Sequence, residues 1–315
     1  MHILITGGSG YLGQFLIKGA IAAGHQVTYT YSSVKLDEDV MRVEGGGKLM
    51  PWKVDFSDGS GLDDWESRGP FAVVVNCAAL SQPGVCEQRQ GFARAINVPT
   101  RLLDCLHQQH KSNGNEALLI QISTDQVYDG SRADWQEDDL CEPVNTYGRT
   151  KLEAEAVIKA RWQKHVILRS SIIYGPLPPH PVARTLFLQF VEKVLQEGSP
   201  TTFFNDEFRC PIFVDDIVKI VMKLSSLCEL PERRVFNMGG PQRLSRADMA
   251  VQVAKSRGLS TDTIVCAPSS SVQRTVASPP DISMMVKRIK TDLGVQLTHF
   301  SEALQYIPFN CGPIQ

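Results

Sequence analysis

Short apolar runs recur through the first half of the chain, separated by stretches of helical periodicity. Ile3-Leu4-Ile5, residues 26–31, residues 49–54, Phe71 to Asn76, Leu118 to Ile122 and residues 165–170 read as buried strands of a parallel sheet. Helices are predicted between them. Over residues 11–23, Leu12, Phe15, Leu16 and Ala20 share one face and Gly24 ends the helix. Others are expected at 59–67 and 89–110, and one opens near Tyr147. This alternation from residue 2 to 170 predicts an α/β fold with a doubly wound parallel sheet. In the second half, Pro176, Pro178, Pro179 and Pro181 predict a linker or a loop at a cleft mouth. Phe187, Phe190, Val191 and Val194 give the next helix an apolar face, read as core. Further helices are expected at 215–228, 245–257 and 300–307, with a short strand at 234–237 and a loop from Pro268 to Pro280.

Composition narrows the possible functions. The net charge of -2 gives no general attraction to nucleic acid or to an anionic membrane. No apolar run approaches the ~18 residues of a membrane span. The first strand begins at His2, which leaves no room for a signal or transit peptide. The eight cysteines form no Cys-x-x-Cys pair, so neither zinc nor a disulfide framework is expected. Reduced thiols fit the cytoplasm, or an organelle stroma after removal of a transit peptide. His107 and His110 stand at i, i+3 in the predicted 89–110 helix, but no third ligand is evident, so no metal is assigned.

The first strand runs into Thr6-Gly7-Gly8-Ser9-Gly10-Tyr11-Leu12-Gly13. Gly7, Gly10 and Gly13 allow a phosphate to approach the backbone, and the helix that follows points free N–H groups at it. The stretch can hold the pyrophosphate of a dinucleotide. After the second strand come Tyr31, Ser32, Ser33 and Lys35, with no acid where a free 2′-hydroxyl would need one. Hydroxyls and one cation suit a 2′-phosphate, so NADP(H) is expected rather than NAD(H); Lys35 can equally be a solvated loop residue. Asp55, at a strand end, can accept from an adenine amino group. The small residues Cys77, Ala78 and Ala79 let the backbone pass close to a cofactor.

Tyr147 and Lys151 are four apart on a predicted helix and share a face. A phenol with a pKa near ~10 is a poor acid or base at neutral pH, and a nearby ammonium should lower that value. Lys151 can also hold a nicotinamide ribose. Thr124, at the end of the preceding strand, can hydrogen-bond the same carbonyl oxygen. Together the three would polarise a ketone while Tyr147 donates a proton to it. On the far side of the chain, Arg209 can contact a substrate diphosphate or be a surface cation, and Asp215 is expected to cap a helix.

These motifs resemble the extended short-chain dehydrogenase/reductase superfamily, and within it the dTDP-4-dehydrorhamnose reductases and the regulatory β subunit of methionine adenosyltransferase. The carriers are the glycine stretch, Asn76-Cys77-Ala78-Ala79, Ile122 to Gly130, Asn145 to Glu153 and Leu168 to Gly175. The resemblance implies a Rossmann domain over 1–170 that binds NADP(H). It implies a smaller C-terminal α/β substrate domain over 171–315, some of which returns to the sheet. Ser9, Tyr11 and Leu12 then join the cofactor site, and Thr124, Tyr147 and Lys151 form the catalytic trio. Asn97 is expected to bond backbone near the active-site strand. Three departures fall on the substrate side. Gln126 replaces an aromatic residue, the reductases commonly place Trp where Ile172 or its neighbour falls while the regulatory β subunit has an aliphatic residue there, and the arginine before Pro279-Pro280-Asp281 is missing or moved to Arg274.

The reading implied is an NADPH-dependent reductase of a 4-keto-6-deoxy nucleotide sugar, working as a possible homodimer. The alternatives are a non-catalytic NADP(H)-binding partner of a methionine adenosyltransferase catalytic subunit and a nucleotide-sugar epimerase. The apolar tail 307–315 permits insertion into such a partner.

Overall fold

The computed structural model describes residues 1–184 and 186–309. Seven parallel strands form the central sheet: β1 (His2–Thr6), β2 (Gln26–Tyr31), β3 (Leu49–Lys53), β4 (Val73–Asn76), β5 (Leu118–Thr124), β6 (His165–Ser170) and β7 (Val235–Met238). Their spatial order is β3-β2-β1-β4-β5-β6-β7. The strand order reverses between β1 and β4, and in such sheets the ligand crevice opens there, beyond the carboxyl ends. Thr6 lies opposite Asn76, and Thr124 opposite Ser170, so the strand ends that carry the motifs stand side by side.

Both faces of the sheet are covered, which is why its middle strands are almost wholly apolar. On one face, helix α1 (Tyr11–Ala22) packs against the sheet with Leu16, Ile17 and Ala20. On the other, Trp52, Trp65 and Phe71 cluster with Leu102, Leu106 and Trp162. The second half of the chain is stitched to the first through β7, which pairs with β6. Among the described residues three two-stranded pairings lie outside the central sheet, one of them Thr201–Phe204 with Ile264–Ala267.

Several expectations need correction. The helix expected over 89–110 is interrupted: Gln90–Asn97 ends, and Thr100–Asn113 begins after Pro99, whose missing N–H breaks the ladder. The segment expected at 59–67 is a one-turn helix, Trp65–Arg68, preceded by a 3-10 turn. Asp215 does not cap the helix Val214–Ser225; Phe213 occupies that position without a side-chain bond. Its neighbour Asp216 is the bonded acid, accepting from Thr298 N at 2.6 Å and from Lys219 at 3.0 Å. In the helix Phe187–Glu197 the buried face is Leu188, Val191 and Leu195. Of the four residues read as core, Val191 is buried and Phe187 and Val194 pack against the same cluster, while Phe190 is exposed; Phe187 and Phe190 also line the cleft. His107 and His110 meet the edge of Trp162, and no metal-binding cluster exists among the described residues. Among the same residues no helix is long and apolar enough to cross a membrane. Residues 310–315 of the apolar tail lie outside the described residues.

Candidate active site

A cleft of about 770 Å³ runs from the glycine stretch across the ends of β4 and β5 to the C-terminal half. Its floor at the dinucleotide end depends on absent side chains. Gly7 has φ +62°, and a Cβ there would lie 2.9 Å from Ala78 Cα. A Cβ on Gly13 would lie 2.6 Å from Gly8 Cα, so α1 could not sit this close to the turn. Gly10 precedes α1 with no side-chain cap, leaving the first helix amides free for an anion. Beneath the turn, Thr6 Oγ1 donates to Asn76 Oδ1 at 2.5 Å, and Asn76 Nδ2 donates to Gln121 Oε1 at 2.7 Å. Thr6 Oγ1 also accepts from Ala78 N at 3.2 Å. This buried chain ties the ends of β1 and β4 to the middle of β5 and fixes the floor. The residues present therefore fit a dinucleotide pyrophosphate.

The other expected cofactor residues divide. Gly7, Gly10, Tyr11, Leu12, Gly13, Cys77 and Ala79 line the cleft. Ser9 supports it, since its carbonyl accepts from Gln14 Nε2 at 3.1 Å. Tyr11 donates to Pro176 O at 3.0 Å, and Gln14 clamps His180 through both its amide groups, so the proline loop is pinned over the start of α1. Ser32, Ser33, Lys35 and Asp55 are exposed, outside the enclosed part of the cleft. Lys35 Nζ lies 3.3 Å from Glu38 Oε1, an acid that the strand-end reading passed over. Asp55 is used in its own turn, accepting from Ser57 N and Oγ.

Thr124, Tyr147 and Lys151 all line the middle of the cleft. β5 delivers Thr124. The helix α2 (Thr146–Arg161) delivers the other two, and Asn145 caps it by accepting from Gly148 N at 2.9 Å. Gly148 is required here because a Cβ would meet Gln126 O at 2.1 Å. Asn97 bonds Leu80 N and Thr150 Oγ1, locking α2 to the loop after β4. Burial pushes the Tyr147 phenol up to about 12; the bond with Thr124 opposes this and the negative Asp125 adds to it. The fall expected from a neighbouring ammonium does not occur: burial dominates, and the groups that lower the value are Thr124 and Arg184 rather than Lys151. Tyr147 is a neutral phenol, suited to give a proton. Lys151 Nζ donates to Ile122 O at 2.5 Å, and burial lowers its pKa from 10.5 to about 8, with Glu155 opposing the fall. The folded protein therefore releases this proton earlier than the unfolded chain. Stability owed to Lys151 should rise as pH goes from about 8 to 10.5, seen as wild type gaining on Lys151→Met in thermal melts across that range. The Cys77 thiol is pushed up to about 12 by burial, so it is no nucleophile.

On the substrate side, Gln126 and Ile172 line the cleft, and Gln126 Oε1 accepts from Asn145 Nδ2 at 2.9 Å. Arg209 reaches the cleft wall, but its guanidinium is committed to protein oxygens: Phe208 O at 2.7 Å, Pro279 O at 2.9 Å, Pro280 O at 3.2 Å and Ser278 Oγ at 3.3 Å. It braces the 278–280 loop and is not free for a diphosphate. Arg274 pairs with Glu207, lies over Phe204 and is absent from the lining. Sequence reasoning missed Asp125, Ser171, Phe187 and Arg246, all in the lining. Asp125 follows Thr124 directly, so a carboxylate at a motif strand end was the available signal. No local signal marks Arg246.

Residues 1–308 match the RmlD substrate binding domain family. Among curated relatives, methionine adenosyltransferase 2 subunit beta of Danio rerio is 23% identical, over 96% of this chain and 89% of its own. The probable low-salt glycan biosynthesis reductase Agl14 of Haloferax volcanii is 23% identical, over 93% of each. Among solved structures, dTDP-4-dehydrorhamnose reductase from Bacillus anthracis in complex with NADP superposes with a TM-score of 0.77 at 18% identity, covering 97% of this chain and 98% of that one. MoeE5 in complex with UDP-glucuronic acid and NAD gives 0.79 at 21% identity, covering 98% and 97%.

Proposed function

The chain belongs to the RmlD substrate binding domain family, and from that premise we propose that it is an NADPH-dependent reductase of a 4-keto-6-deoxy nucleotide sugar. The observation that carries this is one cleft holding both a glycine cradle and the group Thr124, Tyr147 and Lys151. The reductase relative from Haloferax volcanii and the NADP complex of the Bacillus anthracis reductase support it. A bound reduced nicotinamide would supply hydride. The free amides of α1 and the backbone at Gly7 hold the pyrophosphate, and Lys151 holds the ribose next to the nicotinamide. Thr124 and Tyr147 hydrogen-bond the substrate carbonyl oxygen, and Tyr147 Oη gives up its proton as negative charge develops there. Consumption of NADPH with such a sugar, lost in Tyr147→Phe, tests the reading.

The choice of NADPH over NADH rests on Lys35. Its contact with Glu38 is an exposed pair, worth little, and a 2′-phosphate offers a stronger anion. Lys35→Ala should weaken NADPH binding about 5-fold, on the order of one exposed charge contact. NADH binding should stay unchanged in the same fluorescence titration. Equal effects on both dinucleotides would remove the assignment.

A second reading is a dinucleotide-binding regulatory subunit. It is favoured by the zebrafish relative and by Gln126 and Ile172 in the substrate half, where the resemblance implies aromatic groups. The chemistry of Tyr147 separates the two.

A further inference from the structure

Three arginines line the cleft: Arg184, which is exposed, and Arg209 and Arg246, which sit in its wall on the substrate side. Four guanidiniums, Arg209, Arg243, Arg246 and Arg274, gather around three carboxylates, Asp125, Glu207 and Asp281. Glu207 is taken by Arg274, and Asp281 by Arg243 at 2.6 Å. Asp125 accepts from Ser171 Oγ at 2.8 Å and from Thr124 Oγ1 at 3.2 Å. Arg209 is held by neutral oxygens alone. That leaves Arg246. It lines the cleft, and its guanidinium lies 4.8 Å from the ring centre of Phe187. Among the described residues it donates no hydrogen bond. Its nitrogens are open to the cleft, so its five donors are available to the oxygens of a ligand.

We propose that Arg246 is the anion-recognition group of this cleft and takes the diphosphate of the nucleotide sugar, with Phe187 holding the guanidinium plane in place. Arg246 thus takes the diphosphate contact that the sequence offered to Arg209. Its planar fork matches two phosphoryl oxygens. Burial and the adjacent Arg209 both oppose its charge, lowering its pKa to about 10, and an incoming dianion would relieve both. Asp125 lies within electrostatic reach of both Tyr147 and Arg246, so the anion would dock in the same half of the cleft as the proton donor. This deepens the reductase reading and rests on it for the identity of the substrate.

The test is calorimetric titration of UDP and dTDP, with uridine as the uncharged control, into protein saturated with NADPH. Saturation keeps the probes out of the dinucleotide cradle. Both diphosphates should bind and uridine should not. Arg246→Met should weaken diphosphate binding about 30-fold, about 2 kcal/mol at 1.4 kcal/mol per tenfold. NADPH affinity should not change. Arg246→Lys, which keeps the charge and loses the fork, should fall between the two, and it carries the test if the methionine variant fails to fold. Wild-type affinity in both variants would overturn the proposal. So would absence of diphosphate binding, binding that NADPH abolishes, or an equal loss of NADPH affinity. Failure of the reductase reading appears separately, as absence of NADPH binding or of carbonyl reduction in wild type.

Discussion

Tyr147→Phe is expected to lower turnover by about 10²–10⁴-fold, the range for loss of a positioned general acid. The phenol is bonded to Thr124 in the middle of the cleft, and burial holds its proton on at any ordinary pH. Removing the hydroxyl leaves the ring, so the packing at the start of α2 is kept. Dinucleotide binding should remain within about 2-fold, because the cradle at Gly7, Gly10 and Gly13 is untouched. A loss of turnover with retained NADPH affinity separates chemistry from binding. If NADPH affinity fell along with turnover, Tyr147 would be holding the cofactor and the assignment of proton donor would be wrong. A non-catalytic protein would show no turnover in either form.

Glu155→Ala should be the most destabilising single change near the site. Glu155 is fully buried, one turn beyond Lys151 on α2. Its carboxylate takes Arg169 in a two-point contact, Nε at 3.0 Å and Nη2 at 2.8 Å, and accepts from Ser123 Oγ at 2.6 Å. Burial opposes the Arg169 charge, but the bond to Glu155 prevails and raises its pKa. The same arginine donates to Tyr128 Oη and Glu137 O, so it links β6 to the loop after β5. Truncation would leave a buried, unpaired guanidinium, at a cost of about 3–5 kcal/mol. A melting temperature lower by about 10 °C is expected for a chain of this size. Replacing both partners, Glu155→Leu with Arg169→Met, should recover much of that loss, since the unpaired charge is then gone. If the single variant melted within about 2 °C of wild type, the pair would not be the clamp described here.

Much of this was legible in the sequence, for a physical reason. The strands of the sheet are buried on both faces, so they read as continuous apolar runs, and β2 and β6 fall at the residues expected. The glycine turn and the Tyr147–Lys151 spacing are local patterns, and local patterns survive folding. The charged groups of the substrate side were not legible in this way. Arg209, Arg274 and Arg246 differ only in what the fold places beside them: main-chain oxygens of the 278–280 loop, Glu207, or the ring of Phe187. No spacing encodes that. The stripe at Phe187 was legible as core for Phe187, Val191 and Val194, but not the exposure of Phe190 or the border that Phe187 and Phe190 form with the cleft. The direction of the Tyr147 pKa was also beyond the sequence. The Tyr147–Lys151 spacing could be read from the sequence, but the burial that sets the phenol's value is a property of the folded cleft.

The most direct measurement is NADPH consumption by wild-type protein over a panel of 4-keto-6-deoxy nucleotide sugars. The account predicts turnover with at least one member, and the reduced sugar formed in equal amount to the NADPH used. Tight NADPH binding without consumption on any member would contradict it and leave the regulatory reading in its place.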